Sequence, residues 1–110
     1  MAGTITPQEF RDVPGLDAWA VDEQGAAIVF DSKDFATGAR FVARVAEIAD
    51  ELDHHPDVDL RYGTVTVRTT SHDIGGLSVR DRTLAARVTE AARELGLAAR
   101  QAGASRGAEA

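Results

Sequence analysis

The sequence contains no cysteine, which excludes disulfides and thiolate metal sites. Aromatic residues make up only 5%, so the core must be built mostly of Val, Leu, Ile and Ala. No apolar run approaches the ~20 residues of a membrane span. The opening "MAGTITPQEF" lacks the basic start and apolar stretch of a signal peptide, and the cytoplasm is the expected compartment. A basic stripe is missing too. The net charge is −6, with 4 basic and 13 acidic side chains in residues 1–59 and 8 basic and 5 acidic in 60–110. An acidic chain whose later arginines are spread along one helix is a poor match for phosphate backbones, so no nucleic-acid partner is expected.

At 110 residues the chain is long enough for one modest core and too short for two. Residues 6–12 suit a short helix with Pro7 at a tolerated early position, ended by "VPG". "LDAWAVDEQGAAIVFD" (16–31) reads as two strands around a turn at Glu23-Gln24-Gly25, with Ala26, Ile28 and Phe30 on one face. From Ser32 or Asp34 the period changes. Phe41, Val45, Ile48 and Leu52 recur at i, i+4, i+7 and i+11, an amphipathic helix that Pro56 stops by pushing His55 out of the α region.

"DVDLRYGTVTVRTT" (57–70) alternates, with Val58, Leu60 and Tyr62, then Val65, Val67 and Thr69, on one face and Gly63 marking a hairpin turn. Ser78 with Asp81 resembles a capping box. It opens a helix carrying Leu84, Val88, Ala91 and Leu95 at the same helical spacing. The expected architecture is α+β: helix–hairpin–helix–hairpin–helix, the hairpins merging into a four-stranded antiparallel sheet with three helices packed on one face. Residues 1–97 form the expected domain, and 98–110 a flexible C-terminal tail.

The chain has three histidines. His54 and His55 stand in "DELDHHPD" where the long helix runs into a strand, and His72 stands just past the neighbouring strand. Antiparallel pairing about Gly63 brings all three to one edge of the sheet. Imidazole exchanges protons near neutral pH, and Asp50, Asp53, Asp57, Asp73 and Asp81 are available to orient the rings. The spacing also admits blander readings. His-His-Pro at a helix end is commonly a capping and solvent feature, and Asp81 serves equally well as a plain helix cap. Three histidines could hold zinc, but adjacent residues rarely aim both rings at one ion, so no metal is expected.

The residues Asp50, His54-His55-Pro56, Tyr62, His72 and Asp81, together with "SHD" (71–73) and "GGL" (75–77), resemble the pattern of the pterin-4a-carbinolamine dehydratases over about residues 5–96. Two positions depart from it: Val58 stands where an aromatic is usual, and Asp50 where Glu is commoner. The resemblance implies a hydro-lyase that dehydrates a 4a-hydroxytetrahydropterin to the quinonoid dihydropterin, without metal or bound cofactor. It implies His54, His55 and His72 as the catalytic histidines. Pro56, Ser71, Asp73 and Ile74 would line the pterin, and Asp50, Arg80 and Asp81 would support the site. It also implies a homodimer or homotetramer. The alternative it carries is a non-catalytic binding role, as a dimerisation cofactor for transcription or an assembly factor.

Overall fold

The computed structural model describes residues 3–100. The chain starts with α1 (Pro7–Arg11), which Thr6 and Glu9 close with a reciprocal capping box. Its one buried side chain, Phe10, meets Trp19 edge-on at 6.1 Å between ring centroids. Leu16–Trp19 forms a turn, with the Trp19 N–H on the Leu16 carbonyl. The first expected strand is therefore reduced to the two residues of β1 (Ala20–Val21). A turn at 22–25, tied by the Asp22 N–H on the Gly25 carbonyl, leads into β2 (Ala26–Asp31).

Then follows α2 (Phe35–Leu52), whose first turn is held by the Asp34 carboxylate accepting from the Thr37 N–H. Its residues Phe41, Val45, Ile48 and Ala49 are buried. β3 (Asp57–Leu60) and β4 (Thr64–Thr69) form the second hairpin. The Arg61 N–H on the Thr64 carbonyl closes it, so Tyr62 sits in the turn, 74% exposed, and not on the inward face of a strand as the alternation suggested. A 3₁₀ turn (His72–Ile74) and α3 (Val79–Glu94) complete the α+β order.

The hairpins merge through their inner strands, giving the antiparallel order β1-β2-β4-β3. The β2–β4 ladder runs from Ala26 opposite Thr69 to Asp31 opposite Thr64. On this ladder Ala26, Ile28, Phe30, Val65, Val67 and Thr69 are buried beneath the helices, while Ala27, Val29 and Thr66 are half-buried and Arg68 exposed. That alternation fixes the register, since a one-residue slip would turn the apolar row to water.

Phe30 and Phe41 join sheet to helix edge-on, 5.1 Å apart. Gly38 lets α2 approach: a Cβ there would lie 2.7 Å from Leu60 Cδ1 and 3.3 Å from Val65 Cγ2. One side-chain polar atom is sealed in without a partner among the described residues, the Ser32 hydroxyl.

The chain does not leave the fold at residue 98. A fifth strand, β5 (Ala98–Ala99), pairs with β2 opposite Asp31 and Phe30, and Arg100 bonds Asp31 at 2.8 Å. The remainder of the expected tail, 101–110, lies outside the described residues.

The Phe30–Phe41 contact ties the long helix to the sheet, so Phe41→Ala should lower unfolding free energy by about 3–5 kcal/mol. Urea denaturation followed by circular dichroism measures the loss; a change under 1 kcal/mol would show that this contact does not anchor the helix.

Candidate active site

The site is built around a carboxylate. Asp81 lies in the first turn of α3 and is fully buried. Its Oδ2 accepts from the Ser78 N–H and the Ser71 hydroxyl, each at 2.9 Å. Its Oδ1 accepts from the Thr69 hydroxyl at 2.5 Å and faces His54 Nε2 at 2.7 Å. The Ser78 N–H belongs to the capping box read from the sequence. Position alone would explain an acid here, because the helix N-terminus favours negative charge. A cap exposed to water, however, needs one donor. Four donors on a sealed carboxylate make Asp81 the centre of a network.

A carboxylate accepts and does not donate, so His54 Nε2 must carry the hydrogen of the 2.7 Å contact. This fixes the tautomer of the neutral ring. The other nitrogen, Nδ1, has no partner among the described residues and, unlike the Ser32 hydroxyl, is not sealed from solvent. A ring held at one nitrogen by a buried acid and open at the other is suited to passing a proton through the open side.

The two adjacent histidines follow a left-handed turn and lie on different sides of the chain. Asp53 takes the left-handed conformation, φ 52°, and ends α2. The His54 N–H then bonds the Ala49 carbonyl at 3.1 Å, the wrap that closes a helix with a left-handed residue. His54 turns inward and is 8% exposed. His55 stays in solvent, its Nε2 2.9 Å from Asp50 Oδ1.

The segment after β4 is clamped on itself: Ser71 and Gly76 exchange backbone hydrogen bonds at 3.0 and 3.2 Å. The Thr70 hydroxyl donates to the Gln24 carbonyl, and Gly25 permits this docking, since a Cβ there would lie 2.5 Å from the Thr69 carbonyl oxygen. His72 opens the 3₁₀ turn, exposed, and lines a cavity of about 580 Å³ with Asp22, Gln24, Asp57, Arg68 and Thr70. His54 lines a different and smaller pocket, about 140 Å³, with Leu52, Val79, Arg80 and Thr83.

His54 and Ser71 are thus each brought into contact with Asp81, Asp50 into contact with His55, and His72 to the mouth of another cavity. Pro56 and Ile74 are half-buried, with no side-chain polar atom to offer. Ser71 is 1% exposed, and its hydroxyl and backbone groups are engaged within the protein. It holds Asp81, and its placement offers no free group to a ligand. Arg80 makes no hydrogen bond to Asp81; its guanidinium donates to Asp73 at 2.7 Å. That bond holds the Asp73 carboxyl below its ordinary 3.8 and raises Arg80 in turn.

Thr69 was not recognisable as a site residue from its type. The available signal was its place on the inward face of β4, where a hydroxyl has to find a partner. Among the described residues, no group of three or more His, Asp or Glu side chains is placed to hold a metal ion, and no helix is long and apolar enough to cross a membrane.

The family model of the pterin 4 alpha carbinolamine dehydratases matches residues 4–91. The chain belongs to that family. A relative from Koribacter versatilis, provisionally named a pterin-4-alpha-carbinolamine dehydratase, is 37% identical over 91 residues, 82% of this chain and 97% of the relative. A second of the same name, from Saccharolobus solfataricus, is 42% identical over 88 residues, 78% of this chain and 90% of the relative. The crystal structure of a transcriptional coactivator/pterin dehydratase from Brucella melitensis superposes with a TM-score of 0.73 at 29% identity. It covers 81% of this chain and 98% of the other. The family assignment agrees with the α+β fold read from the sequence.

Two outcomes follow from this geometry. Asp81→Ala leaves its buried donors unpaired and should cost about 3–5 kcal/mol of stability in urea denaturation; a cost below 1 kcal/mol would mean the network is not satisfied by Asp81. The Asp73–Arg80 attraction is complete above pH 3.8 and is lost as pH falls through the lower folded value. Carbon-13 NMR should place the Asp73 midpoint below 3.8 in the wild type, moving up in Arg80→Gln.

Proposed function

We propose that this chain is a hydro-lyase that removes water from a 4a-hydroxytetrahydropterin. The reading is carried by His54, a buried imidazole tied through Nε2 to Asp81 with Nδ1 left open. Membership of the dehydratase family supplies the substrate class.

In the reaction the bond from C4a to its hydroxyl oxygen breaks, and that oxygen takes a proton and leaves as water. The N5–H bond gives its electron pair to a new C4a=N5 double bond, and its proton goes to a base. The product is the quinonoid dihydropterin, and one proton delivered is balanced by one removed. Protonating a poor leaving group while deprotonating its neighbour is acid–base work suited to imidazoles near neutral pH. It needs no bound cofactor.

In their imidazolium forms, with a proton on the open ring nitrogen, His54 and His72 are the donors to the leaving hydroxyl, according to the face it occupies. His55, hydrogen-bonded to Asp50, holds the ring or accepts the N5 proton. Pro56 and Ile74 offer apolar contact to the flat ring, and Asp73, oriented by Arg80, offers an acceptor beside it. The working form is a homodimer or homotetramer. Among the described residues β3 lies at the end of the sheet with a free edge, and free edges favour association.

The test is dehydration of freshly generated 4a-hydroxytetrahydropterin, followed by ultraviolet absorbance under excess chelator. The wild type should accelerate it. His54→Ala, His55→Ala and His72→Ala should each lose about 10²–10⁴-fold of the rate where the residue moves a proton, and less where it only holds the ring. A folded wild type without acceleration would sink the enzyme reading and leave a binding role as the one to pursue.

A further inference from the structure

We infer that Thr69 is a positioning residue for His54: its hydroxyl takes a share of Asp81 Oδ1 and thereby limits how tightly that oxygen holds the imidazole Nε2 proton. Three atoms form the contact. Thr69 Oγ1 is 2.5 Å from Asp81 Oδ1, His54 Nε2 is 2.7 Å from the same oxygen, and Thr69 Oγ1 is 3.3 Å from His54 Nε2. The threonine hydroxyl has one hydrogen, and the carboxylate takes it. The imidazole N–H then faces two acceptors, with the carboxylate the nearer.

The competition cannot be relieved at the other oxygen, because Ser71 and the Ser78 N–H occupy Oδ2. Nor can Thr69 easily turn aside. It is 3% exposed, it pairs with Ala26 in the central ladder, and its backbone carbonyl lies against Gly25. A β-branched side chain on such a strand has few rotamers. Asp73 on the 3₁₀ turn and Arg80 on α3 are charged groups near the ring. They pair with one another, and a change at Thr69 alters neither.

Without the hydroxyl, Oδ1 belongs to His54 alone. The Nε2–H···Oδ1 bond strengthens, and the ring becomes a poorer proton donor at Nδ1. A threonine serving only to fill the core would have no such effect, since valine has nearly the same shape.

Thr69→Val and Thr69→Ser separate the two roles. The His54 Nε2–H resonance in the proton NMR spectrum, assigned by its loss in His54→Gln, should move downfield in Thr69→Val and return in Thr69→Ser. An unmoved resonance in folded Thr69→Val overturns the inference, whatever the activity does. Thr69→Ala repeats the measurement should the valine variant not fold.

The catalytic consequence rests on the dehydratase reading. In the pterin assay Thr69→Val should lose about fivefold in kcat with KM within about twofold, the factor a single net hydrogen bond is worth, and Thr69→Ser should recover it. A lowered urea midpoint with unchanged kcat and an unmoved resonance would assign Thr69 to packing alone. If the wild type does not dehydrate the pterin, that reading fails separately and the resonance still decides the role of Thr69.

Discussion

The structure depends on satisfying one buried negative charge. Taking a carboxylate out of water costs several kcal/mol even after the protein relaxes. A hydrogen bond to a charged group returns about 1.5–3 kcal/mol, so a single cap would leave Asp81 in deficit. Its donors come from the end of α2, the end of β4, the clamped segment behind it and the N-terminus of α3. Each of those elements must arrive in register for the charge to be tolerated. The sheet order and the loop clamp are therefore conditions of the site as well as of the core.

The same network makes two adjacent histidines unequal. His54 is drawn to Asp81 and fixed in one tautomer, while His55 remains in water beside Asp50. Nothing in the side chains distinguishes them. The asymmetry comes from their place just past the helix: the left-handed turn at Asp53 ends α2, Pro56 keeps His55 extended, and consecutive side chains of such a segment fall on opposite sides of the chain. His72, in turn, is placed by the docking of the 69–76 segment on the 22–25 turn, through Thr70 and the close approach at Gly25. One histidine is set by a charge, one by a helix end and one by a loop.

Periodic features were legible in the sequence because burial imposes the period. α2 declares itself by Phe41, Val45 and Ile48, β4 by Val65 and Val67, and α3 by the Ser78–Asp81 box ahead of Leu84 and Val88. Single contacts across the fold were not. The partner of Thr69 lies in another element, 12 positions on. Arg80 reaches back over the loop to Asp73, seven positions away. β5 is two alanines long and held by pairing with β2, so it has no pattern to read. Tyr62 continued an alternation that the hairpin turn had already ended.

The order of these residues along the chain has a consequence for biosynthesis. A ribosome delivers His54, Thr69 and Ser71 before the carboxylate that receives them, because Asp81 follows all three. Until α3 has emerged, those groups face water, and the apolar sheet face that Leu84 and Val88 help to cover stays open. The arrival of α3 brings the acceptor together with the cover, so that the groups are buried only when Asp81 is there to receive them. Commitment to the native core is thereby tied to translation of the segment that completes the site, and a chain truncated before it should be poorly folded.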